Sequence, residues 1–517
     1  MLPNGLTVLS ERMPGVRSVA FGAWIRAASL HEPRDKMGVS HLLEHMVFKG
    51  TARRSAKQIA LELEALGGSL DAYTSREHTV YQARVLDEHL DIAADVIGDF
   101  VFQPLLRKKD LELERKVVLE EIAMVEDTPD DLVSELHNEA LWGPHPYGYS
   151  ILGTRDSVSA LEVHDLQALH ARAYHPAQLI VAASGNVEHD ALLETLERTG
   201  WATERAGDAT RLVVPPPVAM PPLRKHVKRD GAQTHIVVGS PTVAHGDARR
   251  HALVLVSVLL GGGMSSRLFQ RVREELGLAY SVGTFQSFDT RAGVHGVYCG
   301  TGPETAREAL DAIDAELALV AVAGLPADEL AMGKSQLKGQ ITLSLESVSA
   351  RMYRCAGVEL YGEPYRSLDE MLALVDAVTE EQIADAAREF FGPERQTVVS
   401  LGPGDEFSPA VVLSEAKDLL LADGKQVLRF AQDDTLSVHS RDHLSAVWPK
   451  STRNQRPPHE NRYSEGNKDQ REPHCPRAGW RRVACGGGAY GAHRGRRWTG
   501  QRLQRRRLYR RRRADRP

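Results

Sequence analysis

The first half of the chain alternates between strand-like and helix-like spacing of its hydrophobic residues. Apolar positions at 6–9 and 18–26 alternate or run together as they do in β-strands. Helical spacing predicts helices at 39–48, 55–66, 88–100, 108–125 and 131–141, and two further strand-like runs lie at 70–74 and 79–86. Pro104, Pro129 and the pair Gly67-Gly68 separate several of these stretches. The pattern predicts an α+β fold.

A similar order of elements returns after a proline-rich stretch at 213–223, which favours an extended linker. Beyond it we predict strands at 234–239 and through residue 298, with helices at 249–260, at 266–275 and from 304. The order helix, Leu-Gly, strand, strand, helix recurs at an offset of about 210 residues. We therefore expect two related domains, each a mainly antiparallel sheet packed with helices. The predicted boundaries are 1–208, a linker at 209–224, a second domain at 225–404, and an irregular to disordered tail at 405–517.

Composition is that of a globular protein, with 42% hydrophobic and 26% charged residues among 517. The longest apolar runs, such as 254–260, are shorter than the roughly 20 residues of a membrane-spanning helix. Four cysteines, at 299, 355, 475 and 485, are too few for a disulfide framework, and the N-terminus carries no signal-peptide pattern. We expect a cytoplasmic protein. The chain begins almost directly in the first strand, so an upstream targeting segment missing from this sequence stays open.

Charge divides the chain into two unlike parts. Residues 441–517 hold 22 Lys plus Arg against 6 Asp plus Glu, whereas residues 1–440 hold 42 against 63. Such a basic tail is compatible with nucleic-acid binding, since arginine clusters neutralise phosphates. Its His474, Cys475, Cys485 and His493 fit no C-x-x-C zinc pattern. We favour a tail that is incidental or the product of a shifted or extended reading frame. We do not expect the protein to bind a membrane.

One motif carries candidate chemistry: His41-Leu42-Leu43-Glu44-His45, inside a predicted helix. Residues four apart share a helix face, so His41 and His45 are spaced to bind one zinc ion, with Glu44 on the same face. H-x-x-E-H is the inverted order of the H-E-x-x-H zinc-peptidase motif, in which the glutamate acts as a base. The alternative interpretation is a solvated or partly buried polar helix face.

A catalytic zinc site needs a third protein ligand and an open position for water. Glu114 and Glu121 lie seven residues apart, nearly two helical turns, and so share one face of a predicted helix, whereas Glu120 points elsewhere. From spacing alone, these acids are equally compatible with a surface face paired with Arg115 and Lys116.

The sequence resembles the insulysin and pitrilysin family of zinc peptidases, most closely the bacterial relatives of the mitochondrial processing peptidase β-subunit. The resemblance spans about residues 1–403 and rests on the runs GVSHLLEHMVFKGT, LEALGGSLDAYTSREHTVYQARV and LERKVVLEEIAMVEDTPDD. It implies one zinc ion held by His41, His45 and Glu121, which stands 76 residues past the second histidine. It also implies Glu114 as a supporting carboxylate of the catalytic site. The first domain would then be the catalytic, zinc-binding one.

In this family the second domain has no metal motif and holds substrate through an Arg and a Tyr seven residues apart. Arg273 and Tyr280 stand at that separation within LGGGMSSRLFQRVREELGLAYSV. Taken alone, the two positions read as surface helix and buried core. The glycine run 261–263 lacks the P-loop pattern, so we expect no bound nucleotide.

Two positions depart from the family pattern. Asp71-Ala72 stands where the family usually has Asn-Ala in the strand that takes up substrate, so a carboxylate replaces an amide that both donates and accepts. Ala28 stands where a glycine is usual, before Ser29. We keep Asp71 and Ala72 as candidate substrate-binding residues, although the charge puts substrate preference in doubt.

The sequence thus predicts a zinc metalloendopeptidase that hydrolyses oligopeptides or unfolded polypeptide segments, with a zinc-bound water attacking and Glu44 as general base. An extended substrate would add to the strand at 69–74. The resemblance implies pairing of two chains around the site, as a homodimer or with a related subunit. The alternative function is a catalytically silent scaffold or partner subunit of a processing-peptidase-like complex.

Overall fold

The structure is a computed structural model that describes residues 1–404 apart from Ala209 and Arg211. The predicted tail at 405–517 lies outside the described residues. No helix of the described part is long and apolar enough to cross a membrane.

The first half forms a five-stranded sheet with the strand order β1-β5-β2-β4-β3. The strands are β1 (Thr7–Arg12), β2 (Ser18–Ile25), β3 (Ser69–Thr74), β4 (Thr79–Leu86) and β5 (Leu179–Gly185). The helices are α1 (Val39–Val47), α2 (Ala56–Glu64), α3 (Leu90–Phe102), α4 (Lys108–Glu126), α5 (Pro129–Trp142), α6 (Arg155–Ala160), α7 (Val163–Ala173) and α8 (His189–Arg198). Only β1 and β5 pair in parallel among the described strands of this sheet.

The second half repeats this arrangement with the order β6-β10-β7-β9-β8, again with one parallel pair, β6 with β10. The strands are β6 (Arg224–Lys228), β7 (Thr234–Thr242), β8 (Ala279–Phe288), β9 (Gly293–Thr301) and β10 (Thr397–Gly402). The helices are α9 (Arg250–Gly261), α10 (Ala306–Ala323), α11 (Ala327–Ser344), α12 (Val348–Tyr361), α13 (Leu368–Asp376) and α14 (Glu380–Phe390). The α+β class with two mainly antiparallel sheets is confirmed, whereas the predicted domain boundaries stay a prediction.

One predicted helix of the second half has an unexpected form. The segment predicted as a helix at 266–275 is a π-helix over Phe269–Glu275. Its wider turns are visible at the end, where the N–H of Leu276 donates to the carbonyl of Arg271, five residues earlier, at 3.1 Å. Hydrophobic spacing predicts that a segment is helical, but it does not separate turns of 3.6 residues from slightly wider ones.

Helix α1 begins where two chain segments approach closely. Gly38 has a φ of 88°, and a Cβ there would lie 2.5 Å from the carbonyl oxygen of Leu152, so only glycine fits. The buried carboxylate of Glu32 then accepts hydrogen bonds from the backbone N–H groups of Gly38, at 2.8 Å, and Ser40, at 2.7 Å. Helix α1 has no side-chain cap of its own, so Glu32 supplies the acceptors that the first turn needs.

The two halves interlock through exchanged helices. On one face, the first sheet packs against its own helices, including α1, α3 and α4. Its other face packs against α12 of the second half, where Met352 and Cys355 meet Trp24 and Ile180. Reciprocally, α5 of the first half packs through Val133 on β7 and β10 of the second sheet. Since both faces of each sheet are covered, the central strands read as nearly continuous apolar runs.

Candidate metal and catalytic site

Helix α1 presents His41, Glu44 and His45 within one turn. The two imidazole rings lie 4.7 Å apart, centroid to centroid. Helix α4 packs beside α1 and brings Glu121 to them. Its Oε2 lies 3.7 Å from Nε2 of His41 and 3.6 Å from Nε2 of His45. These three side chains form the single group of metal-binding type found among the described residues.

The spacing of these three atoms suits a zinc ion. Zinc binds imidazole nitrogen and carboxylate oxygen at about 2.0–2.2 Å in tetrahedral sites, which separates ligand atoms by about 3.3 Å. The two carboxylate–imidazole distances, 3.6 and 3.7 Å, are close to that value, and all three atoms lie within 4.8 Å of one another. The side chains of His41 and His45 are 12% and 13% exposed, whereas that of Glu121 is 29% exposed, so Glu121 is the most solvent-accessible of the three. Two nitrogens and one oxygen would be the three protein ligands, and a catalytic zinc site keeps one further position for water or substrate.

The pKa values of the two histidines shift in opposite directions. Burial, assisted by the charge of His45, holds the pKa of His41 well below its usual range, so this imidazole is neutral, as a metal ligand must be. Burial also lowers the pKa of His45, but the hydrogen bond to Glu114 and the charges of Glu121 and Glu44 outweigh it and raise the pKa overall. A cation bound at Nε2 would take the place of a proton on that nitrogen, whereas the proton on Nδ1 would stay with Glu114.

Glu114 lies behind the histidines rather than among the three converging atoms. Its Oε2 is 3.3 Å from Nδ1 of His45, and its Oε1 is 2.7 Å from Nζ of Lys49. Burial raises the pKa of Glu114, but the hydrogen bonds from His45 and Lys49 outweigh it and lower the pKa below its ordinary value. An ionised Glu114 keeps the proton of His45 on Nδ1 and leaves Nε2 free to bind a metal.

Glu44 shares the helix face with the histidines but does not belong to the converging group. Its carboxyl is buried, and its Oε2 accepts a hydrogen bond of 2.6 Å from Oγ1 of Thr74. Burial raises the pKa of Glu44 to about 7, although the charge of His45 and the Thr74 hydrogen bond oppose this shift. A carboxyl with a pKa near neutral is suited to accepting and returning a proton.

Asp71 and Ala72 lie on β3, the edge strand of the first sheet, opposite Gln82 and Tyr81 of β4. Side chains alternate along a strand, so Ala72 shares the face of the core that contains α1. Asp71 lies on the opposite face, where its charge raises the pKa of Tyr353 on α12. The same charge also raises the pKa of Glu44, so Asp71 stands at the margin of the site.

Arg273 and Tyr280 contact each other in the second half. The guanidinium of Arg273 lies 4.7 Å from the ring centre of Tyr280 and 4.7 Å from that of Phe269. Tyr280 is 78% exposed, so the buried-core alternative does not hold for it. Arg273 contacts these two rings and forms an ion pair with Glu274. Among the described residues, it makes no ring contact or ion pair with α1 or α4.

Sequence reasoning missed three residues of this site: Glu32, Lys49 and Thr74. Lys49 stands four residues after His45, a helical spacing that could have placed it near the histidines. Thr74 ends a predicted strand and lies two residues after Ala72. Because side chains alternate along a strand, the sequence could have predicted that Thr74 points to the same face as Ala72. No local pattern indicates that Glu32 caps helix α1, because the contact is made by a loop preceding the helix.

Comparison with known proteins agrees with this arrangement. The family model described as insulinase (peptidase family M16) matches residues 7–155, and the model described as the peptidase M16 inactive domain matches residues 160–337. An uncharacterized zinc protease of Streptomyces coelicolor is 38% identical over 411 residues, covering 78% of this chain and 88% of the relative. An uncharacterized zinc protease of Bacillus subtilis is 38% identical over 388 residues, covering 75% of this chain and 94% of the relative.

Two solved structures share the fold. The peptidase M16 inactive domain from Pseudomonas fluorescens has a TM-score of 0.73 at 22% identity, covering 79% of this chain and 98% of that one. A protease from Helicobacter pylori has a TM-score of 0.72 at 22% identity, covering 78% and 98%. The shared fold thus extends over both sheets. At 22% identity these structures support the fold only, so the function of the site is argued from the side chains of this chain.

Proposed function

Since the chain belongs to the insulinase family of zinc peptidases, peptidase family M16, we propose that it is a zinc-dependent endopeptidase that hydrolyses oligopeptides or unfolded polypeptide segments. The observation that carries the proposal is the convergence of His41, His45 and Glu121 beside the buried carboxyl of Glu44. A scaffold that only kept the fold would have no need of this combination.

His41, His45 and Glu121 would hold the ion through Nε2, Nε2 and a carboxylate oxygen. When bound, zinc supplies Lewis-acid polarisation of the scissile carbonyl and lowers the pKa of the attacking water. Glu114 keeps His45 oriented through Nδ1, and Lys49 keeps Glu114 ionised.

Glu44 would accept a proton from the attacking water on its carboxylate and deliver it to the leaving amine. Burial, which raises its pKa, makes this carboxylate a stronger base than an exposed glutamate and so suits both steps. Burial beneath β3 keeps bulk water from competing for the carboxylate.

The edge strand β3 supports the proposed substrate class. It pairs only with β4 among the described strands, so its other edge can pair with an extended peptide. Strand addition reads mainly backbone, which suits unfolded segments of varied sequence. We propose Asp71 and Ala72 as residues that flank such a peptide, and Arg273 and Tyr280 as a second contact for it.

We also propose that two copies of the chain pair around the site. Several large apolar side chains of the second half are exposed, among them Met264, Met332 and Leu343. Sedimentation of the purified protein would test the pairing, and a monomer at all concentrations would contradict it. The cytoplasmic location stays a prediction from the sequence.

The proposed activity is tested by cleavage of an internally quenched fluorescent peptide. The protein as purified should cleave it, a chelator should abolish cleavage, and added zinc should restore it. Cleavage that survives complete removal of metal would contradict the proposal. Full zinc binding with no cleavage of any peptide, with or without a related subunit, would favour the scaffold function.

A further inference from the structure

Thr74 makes a buried contact with Glu44 that the steps above do not explain. Its hydroxyl donates to Oε2 of Glu44 at 2.6 Å, and the two residues are 7% and 8% exposed. It is the one hydrogen bond to this carboxyl that the described residues make. Oε1 therefore stays available for another donor.

Thr74 itself is held in place by β3 and the turn that follows it. As the last residue of β3, it pairs with Thr79 of β4. Two residues later, the carbonyl of Arg76 accepts a hydrogen bond of 2.8 Å from the N–H of Leu30. The backbone around Thr74 is thus held both by β4 and by the segment that contains Leu30.

The same turn is anchored to the second half of the chain. The carboxylate of Glu77 accepts hydrogen bonds from the backbone N–H of Thr290 at 3.0 Å and from its hydroxyl at 2.9 Å. It also accepts one from the hydroxyl of Tyr147 at 2.8 Å. Thr290 lies between β8 and β9, so the position of Thr74 depends on contacts with both sheets.

A glutamate without such a partner would be poorly oriented. The terminal torsion of a Glu side chain is broad, so both carboxylate oxygens and a range of angles are accessible. Proton transfer in a bound complex requires a heavy-atom distance of about 2.6–3.2 Å. A strong hydrogen bond to one carboxylate oxygen restricts the terminal torsion of the side chain, and so limits the positions that the other oxygen can take.

We propose that Thr74 is a positioning residue that holds Oε2 of Glu44 so that Oε1 faces the water to be deprotonated. Thr74 also ends the strand proposed to pair with the peptide, so its hydrogen bond to Glu44 places the base at the end of that strand. The inference rests on the proposed peptidase function. It assigns to Thr74 a role in turnover rather than in binding metal or substrate.

Three variants of the full-length chain test this role. Thr74→Val keeps the shape and removes the hydroxyl, and Thr74→Ser keeps the hydroxyl and removes the methyl group. Thr79→Val is the matched control, because Thr79 is the buried cross-strand partner of Thr74 and its hydroxyl interacts with the carbonyl of Ala27 and with Tyr174 rather than with Glu44. For each variant, kcat and KM on the quenched peptide, zinc content and the thermal unfolding midpoint are measured.

We expect Thr74→Val to lower kcat about 10–100-fold, the usual effect of removing a partner behind a catalytic group, with KM within about threefold of wild type and zinc content unchanged. Thr74→Ser and Thr79→Val should keep kcat within about threefold of wild type. If Thr74→Val does not fold, Thr74→Ala compared with Thr74→Ser gives the same contrast.

Three results would overturn the inference while leaving the peptidase function standing. One is a hydroxyl-free variant with the kcat of wild type. The second is a loss of activity that is explained by a lower zinc content or a higher KM. The third is a serine variant as impaired as the valine one. A wild-type protein that holds zinc and cleaves no peptide would instead reject the proposed function, and the role of Thr74 with it.

Discussion

Two adjacent glutamates on helix α4 have different surroundings. Glu121 is half-buried and lies within 3.7 Å of both histidines, whereas Glu120 is exposed. We expect Glu121→Gln to weaken zinc binding at least 100-fold, because a neutral amide replaces a charged ligand and loss of a ligand costs more than the roughly 10–100-fold of an outer partner. Glu120→Gln should leave zinc binding unchanged. Competition with a metal indicator measures both, and equal affinities would remove Glu121 from the site.

Buried neutral histidines give the protein a predictable sensitivity to acid. Burial lowers the pKa of His295 to about 3 and that of His137 to about 4. Because the unfolded state binds these protons at about pH 6.5 and the folded state does not, the free energy of unfolding falls as pH drops below 6.5. Each histidine contributes up to about 1.4 kcal/mol per pH unit.

His295→Leu should therefore make the free energy of unfolding less dependent on pH, by the slope that corresponds to about one proton. Nε2 of His295 has no hydrogen-bond partner among the described residues, so leucine removes the titration without leaving a donor unpaired. Urea unfolding at pH 5 and pH 7 gives the change in the free energy of unfolding with pH for wild type and for the variant. An equal change for both proteins would show that His295 is not the group responsible.

Helix α1 depends on a carboxylate from outside the helix. Glu32 accepts the N–H groups of Gly38 and Ser40, and Glu32→Ala would leave both buried donors without their acceptor. We expect a loss of about 1.5–3 kcal/mol in the free energy of unfolding, together with weaker zinc binding, since α1 carries both histidines. Asp35→Asn, an exposed acid of the same loop, is the control. Unchanged stability in denaturant unfolding would contradict the capping role.

Local patterns were sufficient for the elements that carry the site. Helical spacing predicted α1 and α4, and alternation predicted β3 and β4, within a few residues of their observed ends. From spacing alone, Glu121 was no better a ligand than a surface acid, and the family resemblance was needed to choose it. Thr74 and Glu32 were missed because their partners lie 30 and 6 residues away in other elements, contacts that no local period encodes.

The exchange of helices between halves could not be predicted either. Residues of α12 show ordinary helical spacing, and nothing in it indicates that they pack on the first sheet rather than on the second. The nearly continuous apolar runs of β2 and β5 were the one available signal, since such runs indicate strands buried on both faces.

We expect the two halves to unfold together, because each sheet is covered by a helix of the other half. Met352 on α12 is fully buried against the first sheet, and Met352→Ala should cost about 2–5 kcal/mol. We expect one lowered unfolding transition, reported equally by probes in either half. Met124→Ala, at a position that is 47% exposed on α4, should leave the midpoint unchanged. Separate transitions for the two halves of the Met352 variant would contradict the interlocked arrangement.

The most direct test of the whole account compares wild type with Glu44→Gln for zinc content and for cleavage of the quenched peptide in the same preparations. Glutamine keeps the shape and can still accept the hydrogen bond from Thr74, but it cannot take a proton from water. The account predicts equal zinc content in both proteins, cleavage by wild type, and a loss of at least 100-fold in kcat for the variant. A Glu44→Gln variant that binds zinc and cleaves at the wild-type rate would contradict it.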